Sequence, residues 1–312
     1  MKLDRLSSVL FSVAATVGIA AGLIIGANLI GSERGGAFAA PKNPVPVSTG
    51  APFISDSFGS AALYAPGSPT VAEPPIELDA DVAAVYDLNG GEIWGWNDMK
   101  RWPIASLTKL MTAVVAKGLI PDSDKIQITA EAEQPLKDNQ TAPTFRIGDT
   151  LTAKDLIKAM LLVSSNDAAE ALARHYGYDK FIQAMNDKAQ ELRMTDTVFV
   201  SPSGLSVKNL STTTDLDKLV RFVWVSNPDL FATSRKPGDY VSVTKGGYRE
   251  RRYLDNINSF AGEKNFLGGK TGQLPESGGN LISIFNVNGP KLIVILGAGD
   301  RFQETQKILD TL

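Results

Sequence analysis

The sequence predicts an α+β fold in which one antiparallel sheet is flanked by helices. Three observations indicate this fold: a β-hairpin pattern beginning near residue 82, a long middle region with helical periodicity, and three apolar strands in succession near the carboxyl end. Strands that follow one another without intervening helices favour antiparallel pairing over an alternating parallel α/β arrangement.

The elements are predicted in chain order. Asn89-Gly90 separates the β-rich runs Val82 to Leu88 and Glu92 to Trp96, and such a pair favours a tight hairpin turn. Helical spacing of apolar residues predicts helices at about Ser106 to Lys117, Ala153 to Val163, Asp167 to His175, Asp179 to Leu192 and Thr214 to Val225. The closing elements are three strands and a helix, predicted at Phe266 to Thr271, Asn280 to Asn286, Lys291 to Leu296 and Phe302 to Leu309. Together they form one predicted domain, residues 77–312.

The chain ahead of this domain has a different composition. Val9 to Ile30 carries no charge and is long enough, at about 1.5 Å per residue, to cross a bilayer core of about 30 Å. Two basic residues before it favour a cytoplasmic amino terminus. We expect residues 1–34 to hold a tail and a transmembrane helix in the lipid bilayer of the cell membrane, with the catalytic domain outside the cytoplasm. Residues 35–76, rich in Pro, Gly and Ala, are expected to be a flexible linker.

A second outcome is possible for the amino-terminal segment. Ala37-Phe38-Ala39 resembles a signal-peptidase site, so the alternative is a secreted or periplasmic protein cleaved at about Ala39.

Composition excludes several classes of function. The formal net charge of -3 and the absence of a basic cluster argue against nucleic acid as a partner. The chain has no cysteine and a single histidine, His175, which excludes thiolate and polyhistidine metal sites. No metal or organic cofactor is expected. His175 ends a helical pattern, where a cation beside the helix terminus is the simpler role.

Two polar side chains interrupt the apolar run that starts at Ile104. Ser106 and Lys109 are three residues apart, so they share one face of a helix and can touch. A serine hydroxyl becomes a good nucleophile when a nearby base takes its proton, and a neutral lysine amine can be that base. Burial and a second cation both lower the pKa of a lysine, so this hypothesis requires another lysine nearby.

Two further motifs supply matching chemistry. Ser164-Ser165-Asn166 lies between two predicted helices, and Lys270-Thr271-Gly272 lies on a predicted strand and supplies the second lysine. Another S-x-x-K sequence, Ser242 to Lys245, falls in a strand pattern where those two side chains point to opposite faces. Only the first copy can make the serine–lysine contact.

These motifs and their surroundings resemble the serine D-Ala-D-Ala carboxypeptidases, the low-molecular-mass penicillin-binding proteins. The resemblance covers about Leu78 to the carboxyl end and is carried by AAVYDLNGGEIWGWNDMKRWPIASLTKLMTA, IGDTLTAKDLIKAMLLVSSNDAAEALA, MTDTVFVSPSGL and NFLGGKTGQLPESGGNLI. It implies the fold shared by β-lactamases and penicillin-binding transpeptidases. It also implies an acyl-enzyme mechanism and two sets of residues, catalytic Ser106, Lys109 and Ser164, and substrate-binding Asn166, Lys270, Thr271, Gly272 and Gln273.

The resemblance assigns a role to each of these positions. Ser106 is the acylated nucleophile, Lys109 its base, and Ser164 the proton relay to the leaving amine. Asn166 holds the substrate peptide, while Lys270 and Thr271 meet its terminal carboxylate. Gly272 is expected to leave room for substrate lying along the strand. The backbone N–H groups of Ser106 and Gln273 form the oxyanion hole.

The implied substrates are peptidoglycan peptides ending in D-Ala-D-Ala, and the implied inhibitors are β-lactam antibiotics. No glutamate between Asn166 and Lys270 stands in the E-x-x-L-N setting of class A β-lactamases, so a penicillin target is expected rather than a penicillin-hydrolysing enzyme. Few residues follow Lys270, which leaves no room for a second domain and keeps a DD-endopeptidase of cross-links as an alternative. A non-catalytic cell-wall binding module is a further alternative.

Simpler structural roles exist for each motif taken alone. Ser106 is compatible with a helix cap, Lys109 with a solvated surface, and Ser164 and Asn166 with caps of the following helix. Two other segments are singled out without a firm role. Residues 201–204 are expected to form a loop lining the site, and Asn256 and Asn258 fit either an N-x-N element or turn capping.

Overall fold

A computed structural model describes residues 76–312, and the predicted membrane segment and nearly all of the predicted linker lie outside that range. The strands are β1 Val82–Asp87, β2 Glu92–Trp96, β3 Trp102–Pro103, β4 Lys125–Gln127, β5 Thr150–Thr152, β6 Leu210–Ser211, β7 Gly238–Lys245, β8 Tyr248–Asp255, β9 Phe266–Leu274, β10 Gly278–Asn286 and β11 Pro290–Ala298. The helices are α1 Thr108–Leu119, α2 Ala130–Asp138, α3 Ala153–Leu162, α4 Asn166–Tyr176, α5 Tyr178–Glu191, α6 Thr213–Ser226, α7 Pro228–Ser234 and α8 Arg301–Leu309.

The predicted hairpin and closing strands form a five-stranded antiparallel sheet of order β2-β1-β11-β10-β9. Alternating residues of β1 divide between two cores, since Val82, Ala84 and Tyr86 face the helices while Ala83 and Val85 face the opposite side. Helix α8 covers that opposite side and packs on β10 and β11. Both faces of the sheet are therefore buried, as the apolar strand sequences require.

Helix α1 occupies the middle of the larger core. It packs against α3, α4 and α5, and nine of its residues are buried, which explains a sequence with almost no polar face. Because α1 is enclosed on nearly every side, a polar group on it is removed from bulk water. This placement decides the chemistry of Lys109.

The prediction of a single sheet was wrong. A two-stranded sheet pairs β3 with β6, and a four-stranded sheet has the order β4-β5-β7-β8. The strands β4 and β5 are three residues long, too short to show a period of two, so no sequence pattern predicted them. Helices α2 and α7 were also missed, and α2 contains Pro135, which argues against a helix interior.

Within residues 76–312, no helix combines the length and apolar character needed to cross a bilayer.

Candidate active site

Ser106 lies on a strained turn. It is the middle residue of a 3₁₀ turn, Ala105–Leu107, that leads directly into α1, and Ala105 has a φ of 48°, in the left-handed region that favours glycine. Neither the turn nor α1 has a side-chain cap, so the capping role considered for Ser106 is excluded. Instead Ser106 lines an open cleft.

Lys109 lies one helical turn further on and is fully buried. Its Nζ donates hydrogen bonds to Ser106 Oγ at 2.8 Å, to Asn166 Oδ1 at 2.6 Å and to the Ser203 carbonyl at 2.5 Å. Burial lowers the pKa of Lys109 to about 7, and the charges of Glu170 and Asp167 oppose this shift. The predicted Ser106–Lys109 contact is therefore confirmed, and a solvated surface lysine is excluded.

The second lysine lies beside the first. Lys270 on β9 is 1% exposed, and its Nζ donates to Ser164 Oγ at 2.9 Å and to the Thr271 carbonyl at 2.7 Å. Burial lowers the pKa of Lys270, and the charges of Lys109 and Arg301 lower it further. The two amines thus share one site, as predicted. Of the two causes expected to lower the pKa of Lys109, burial is the one observed, whereas repulsion between the amines lowers the pKa of Lys270.

In the loop between α3 and α4, one residue caps α4 and the residues on either side of it contact the two lysines. Ser165 caps α4, because its Oγ accepts a hydrogen bond from the Ala168 N–H at 3.2 Å. Ser164 has a φ of 57°, which turns it toward Lys270, and Asn166 meets Lys109. The capping roles considered for Ser164 and Asn166 therefore belong to the residue between them.

Strand β9 packs directly against the Ser106 turn. A Cβ on Gly272 would lie 3.0 Å from the Ile104 carbonyl oxygen and 3.2 Å from the Ser106 backbone nitrogen. A side chain at position 272 would press on the Ser106 turn, which is a constraint on Gly272 in addition to the predicted room for substrate. Thr271 is buried, and the exposed Gln273 lines the cleft and accepts a hydrogen bond from Arg301 through Oε1 at 2.9 Å.

The loop at residues 201–204 supplies the third partner of Lys109. Gly204 has a φ of 77°, and a Cβ there would lie 2.0 Å from the Ala105 carbonyl oxygen, so no other residue fits without moving the Ser106 turn. Asn209 fixes this loop to α1: its buried amide donates to Thr108 Oγ1 and the Ser201 carbonyl, both at 2.9 Å, and accepts from the Ser201 N–H at 3.1 Å. The expected site-lining loop is confirmed, while Asn209 was missed.

Two buried carboxylates complete the surroundings of Lys109. Glu170 Oε1 accepts a hydrogen bond from Ser203 Oγ at 2.9 Å, and Arg174 lies 3.6 Å from Oε2. Asp167 accepts hydrogen bonds from Ser165 Oγ and from the Phe145 N–H, the latter at 2.6 Å. Burial raises the pKa of both carboxyl groups. The sequence carried only a weak signal for them, two acids on the inner face of a predicted amphipathic helix.

These groups surround a cleft of about 710 Å³. Its walls come from three segments of chain besides Ser106 and Asn166, at residues 138–141, 201–207 and 273–276. Glu170 and Tyr178 lie on the helical side.

The other residues singled out in the sequence lie elsewhere. His175 is at the end of α4 and contacts Asp124 at 3.3 Å, as a helix-terminal residue would. Asn256 accepts a hydrogen bond from the Asn258 N–H at 2.9 Å, which is turn capping. In the second S-x-x-K copy, Lys245 bonds to the Ile147 carbonyl, and Ser242 Oγ accepts from Arg249, so the predicted lack of contact is confirmed.

Comparison with known proteins agrees with this geometry. The model of the Peptidase S11 family, described as D-alanyl-D-alanine carboxypeptidase, matches residues 68–299. A D-alanyl-D-alanine endopeptidase of Pseudomonas aeruginosa is 31% identical over 80% of this chain and 81% of its own length. One of Escherichia coli K12 is 37% identical over 58% of each chain, so the match spans little more than half of that relative.

A solved structure carries the same fold. Penicillin-binding protein D2 of Listeria monocytogenes, in its cefotaxime-bound form, superposes with a TM-score of 0.63 and 32% identity, covering 76% of this chain and 98% of the other. The predicted fold shared with penicillin-binding proteins is confirmed for the described domain.

Proposed function

Because this chain belongs to the Peptidase S11 family, we propose that it is a serine-type D-alanyl-D-alanine carboxypeptidase acting on peptidoglycan stem peptides. The observation that carries the proposal is the contact of 2.8 Å between Lys109 Nζ and Ser106 Oγ, made by an amine whose pKa is about 7. Near neutral pH about half of such amines are free of a proton and can accept the one on the serine hydroxyl.

The proposed reaction has two halves. Ser106 Oγ attacks the carbonyl carbon of the penultimate D-Ala while its proton passes to Lys109. The proton held by Lys109 then passes through Ser164, which Lys270 holds, to the leaving amine as the C–N bond breaks; this releases D-Ala, leaves an ester on Ser106 and returns Lys109 to its neutral form. Water then attacks the ester and gives its proton to Lys109, and that proton passes to Ser106 Oγ as the ester bond breaks, which releases the shortened peptide and restores the free serine.

Substrate binding is proposed along β9, which lies at an edge of the five-stranded sheet and offers backbone groups to an added strand. Asn166 holds the peptide, and the side chains of Lys270 and Thr271 meet its carboxylate through hydrogen bonds. The backbone N–H groups of Ser106 and Gln273 receive the oxyanion. A donor of that kind contributes about 2.7 to 4 kcal/mol in acyl transfer. The Ser106 nitrogen lies beside Gly272, one residue before Gln273, which supports this pairing.

Labelling with a fluorescent penicillin tests the acyl-enzyme. We expect one covalent label on the full-length chain and none on Ser106→Ala, because a β-lactam acylates the same hydroxyl. Circular dichroism of the variant controls for folding. A label that survives the substitution would refute the assignment, and no label on either chain would favour the non-catalytic wall-binding module.

A DD-endopeptidase is the second candidate, favoured by the names of the two bacterial relatives. The two activities differ in the leaving group, which is free D-Ala in one and the side-chain amine of a cross-linked peptide in the other. Incubation with a soluble pentapeptide and with cross-linked dimers, followed by chromatography, separates them. Release of D-Ala supports the carboxypeptidase, and conversion of dimers to monomers supports the endopeptidase.

Residues 1–34 are proposed to anchor the enzyme in the cell membrane with its catalytic domain outside the cytoplasm. The uncharged run Val9 to Ile30 supports this proposal. Amino-terminal sequencing of the mature protein distinguishes a retained anchor from cleavage at about Ala39.

A further inference from the structure

A second cavity lies on the other side of the loop that walls the cleft. Residues 138–141 line the catalytic cleft, whereas residues 143–146 line a groove of about 710 Å³ that opens beside the hairpin of β7 and β8. The floor of this groove is tied to the active site, because the Phe145 N–H donates to Asp167, the residue after Asn166. We call it the basic groove and define it by its charged lining residues, Arg146, Lys245, Arg249, Arg252, Asp149 and Glu250.

The basic groove carries positive charge on a protein that is negative overall. Four cationic side chains face two carboxylates there, while the whole chain has a formal charge of -3. Asp149 is buried, with Lys245 and Arg252 no closer than 3.8 Å and 3.9 Å. Among residues 76–312, Arg146 and Arg249 form no ion pair, and both are exposed. Two guanidinium groups are thus available to a ligand.

The groove is held in shape by its surroundings. Arg252 stacks over the Phe145 ring at 5.5 Å and donates to the Thr144 carbonyl at 3.3 Å. The hairpin turns through Gly246 and Gly247, whose φ values of 55° and 84° suit a rigid two-residue turn. Tyr248 follows that turn, is 86% exposed and lines the groove, so its ring is free to pack on a ligand.

Protection of a sheet edge does not account for this arrangement. Charges on β8 alone would deter pairing at the exposed edge of the four-stranded sheet. Arg146, however, belongs to a different segment of the chain and lines the same cavity. Convergence of cations from two segments on one groove is what binding of an anion requires.

We propose that the basic groove is an exosite for polymeric peptidoglycan, binding the free carboxylates of a stem peptide next to the one in the cleft. This proposal rests on the proposed function, which places a glycan-linked peptide in the adjoining cleft. Arginine forks pair with carboxylates, and an exposed tyrosine packs on a sugar or peptide face. The groove therefore favours polymer over short soluble peptides by holding a second point of the same strand.

A binding assay with a catalytically inactive chain tests the exosite independently of the proposed reaction. The Ser106→Ala chain, full length and in detergent, is sedimented with intact peptidoglycan sacculi, with and without Arg146→Gln and Arg249→Gln. We expect the double substitution to weaken binding about tenfold at low salt, and the difference to shrink at high salt. Arg235→Gln with Lys264→Gln is the matched control, since both residues are exposed and outside the groove. Unchanged binding in the groove variant, or equal loss in the control, would overturn the exosite.

Two further experiments test which group the basic groove binds and how that binding affects turnover. Sacculi whose stem carboxylates have been amidated should bind wild-type and groove variants equally, and a persisting difference would point to another anion and refute the carboxylate assignment. In the chain that keeps Ser106, the double substitution Arg146→Gln and Arg249→Gln should lower kcat/KM on sacculi about tenfold and leave the rate on soluble pentapeptide unchanged. Loss on both substrates would show a structural effect instead. Absence of turnover on every substrate would refute the proposed function and leave the sedimentation result standing.

Discussion

Replacing Glu170 with glutamine removes a buried negative charge that only Ser203 separates from the proposed base, Lys109. Ser203 links the two groups, since its carbonyl accepts from Lys109 and its hydroxyl donates to Glu170. The Glu170 charge raises the pKa of Lys109 and so opposes the effect of burial. Burial raises the pKa of Glu170 itself, while its contacts with Ser203 and Arg174 favour the charged form. Removal of the charge should therefore lower the pKa of Lys109.

The expected size of the effect on acylation follows from the Lys109 pKa of about 7. At an effective dielectric constant of about 20, a unit charge changes a pKa by about one unit even from about 12 Å, so one unit is a lower estimate of the effect of Glu170 on Lys109. The neutral fraction of Lys109 at pH 6 would then rise from about one tenth to about one half. Acylation should become about fivefold faster at pH 6 and change by less than about twofold at pH 8.

The assay is the rate of acylation by a fluorescent penicillin from about pH 5 to about pH 9 at constant ionic strength. In the wild type, the rate should rise tenfold per pH unit below about pH 7 and then level off. Glu276→Gln is the matched control, because this acid also lines the cleft but is exposed, so water screens its charge. A midpoint that stays fixed in Glu170→Gln, or a wild-type midpoint above about pH 9, would show that the lysine environment has been misread.

Three other substitutions test the support of the site. Gly204→Ala places a Cβ against the Ala105 carbonyl and should destabilise the fold by more than about 2 kcal/mol in urea denaturation; a smaller loss contradicts the packing. Asn209→Ala removes buried hydrogen bonds between the 201–204 loop and α1 and should cost about 2 kcal/mol with slower acylation, whereas unchanged acylation would show that the loop does not position Lys109. Lys270→Met should abolish acylation yet raise thermal stability, more at pH 6 than at pH 9. The unfolded chain holds the Lys270 proton that burial disfavours in the folded protein, so an equal gain at both pH values contradicts the lowered pKa.

The sequence predicted those parts of the fold that depend on local periodicity. The Asn89-Gly90 turn, the six predicted helices and the closing strands all occur, with no boundary displaced by more than three residues. The smaller sheets escaped prediction because β4 and β5 gain their order from neighbours distant in the chain. Helix α2 starts after a capping Thr129, but it contains Pro135, and a proline in the sequence argues against a helix interior.

The candidate site divides in the same way. The serine and lysine motifs could be predicted from the sequence, because the reaction requires particular residue types at particular spacings. The structure places Lys109 and Lys270 in one site, as expected. The contacts of Lys109 with the Ser203 carbonyl and, through it, with Glu170 depend on a loop that arrives from elsewhere in the fold. No sequence pattern connects those residues. Gly272 has a second constraint that no local pattern predicts, because the neighbour that would meet its side chain is a turn more than 150 residues away.

The site concentrates features that reduce stability in one small volume. Two lysines are buried with lowered pKa values, and two non-glycine residues, Ala105 and Ser164, have positive φ. Each such feature costs on the order of 1–3 kcal/mol, so the surrounding fold must supply rigid support. That support is visible in the enclosed helix α1, in β9 packed against the Ser106 turn through Gly272, and in the amide of Asn209. The same burial that weakens the fold keeps the base of Ser106 neutral near pH 7, so selection for greater stability at these positions would act against the proposed reaction.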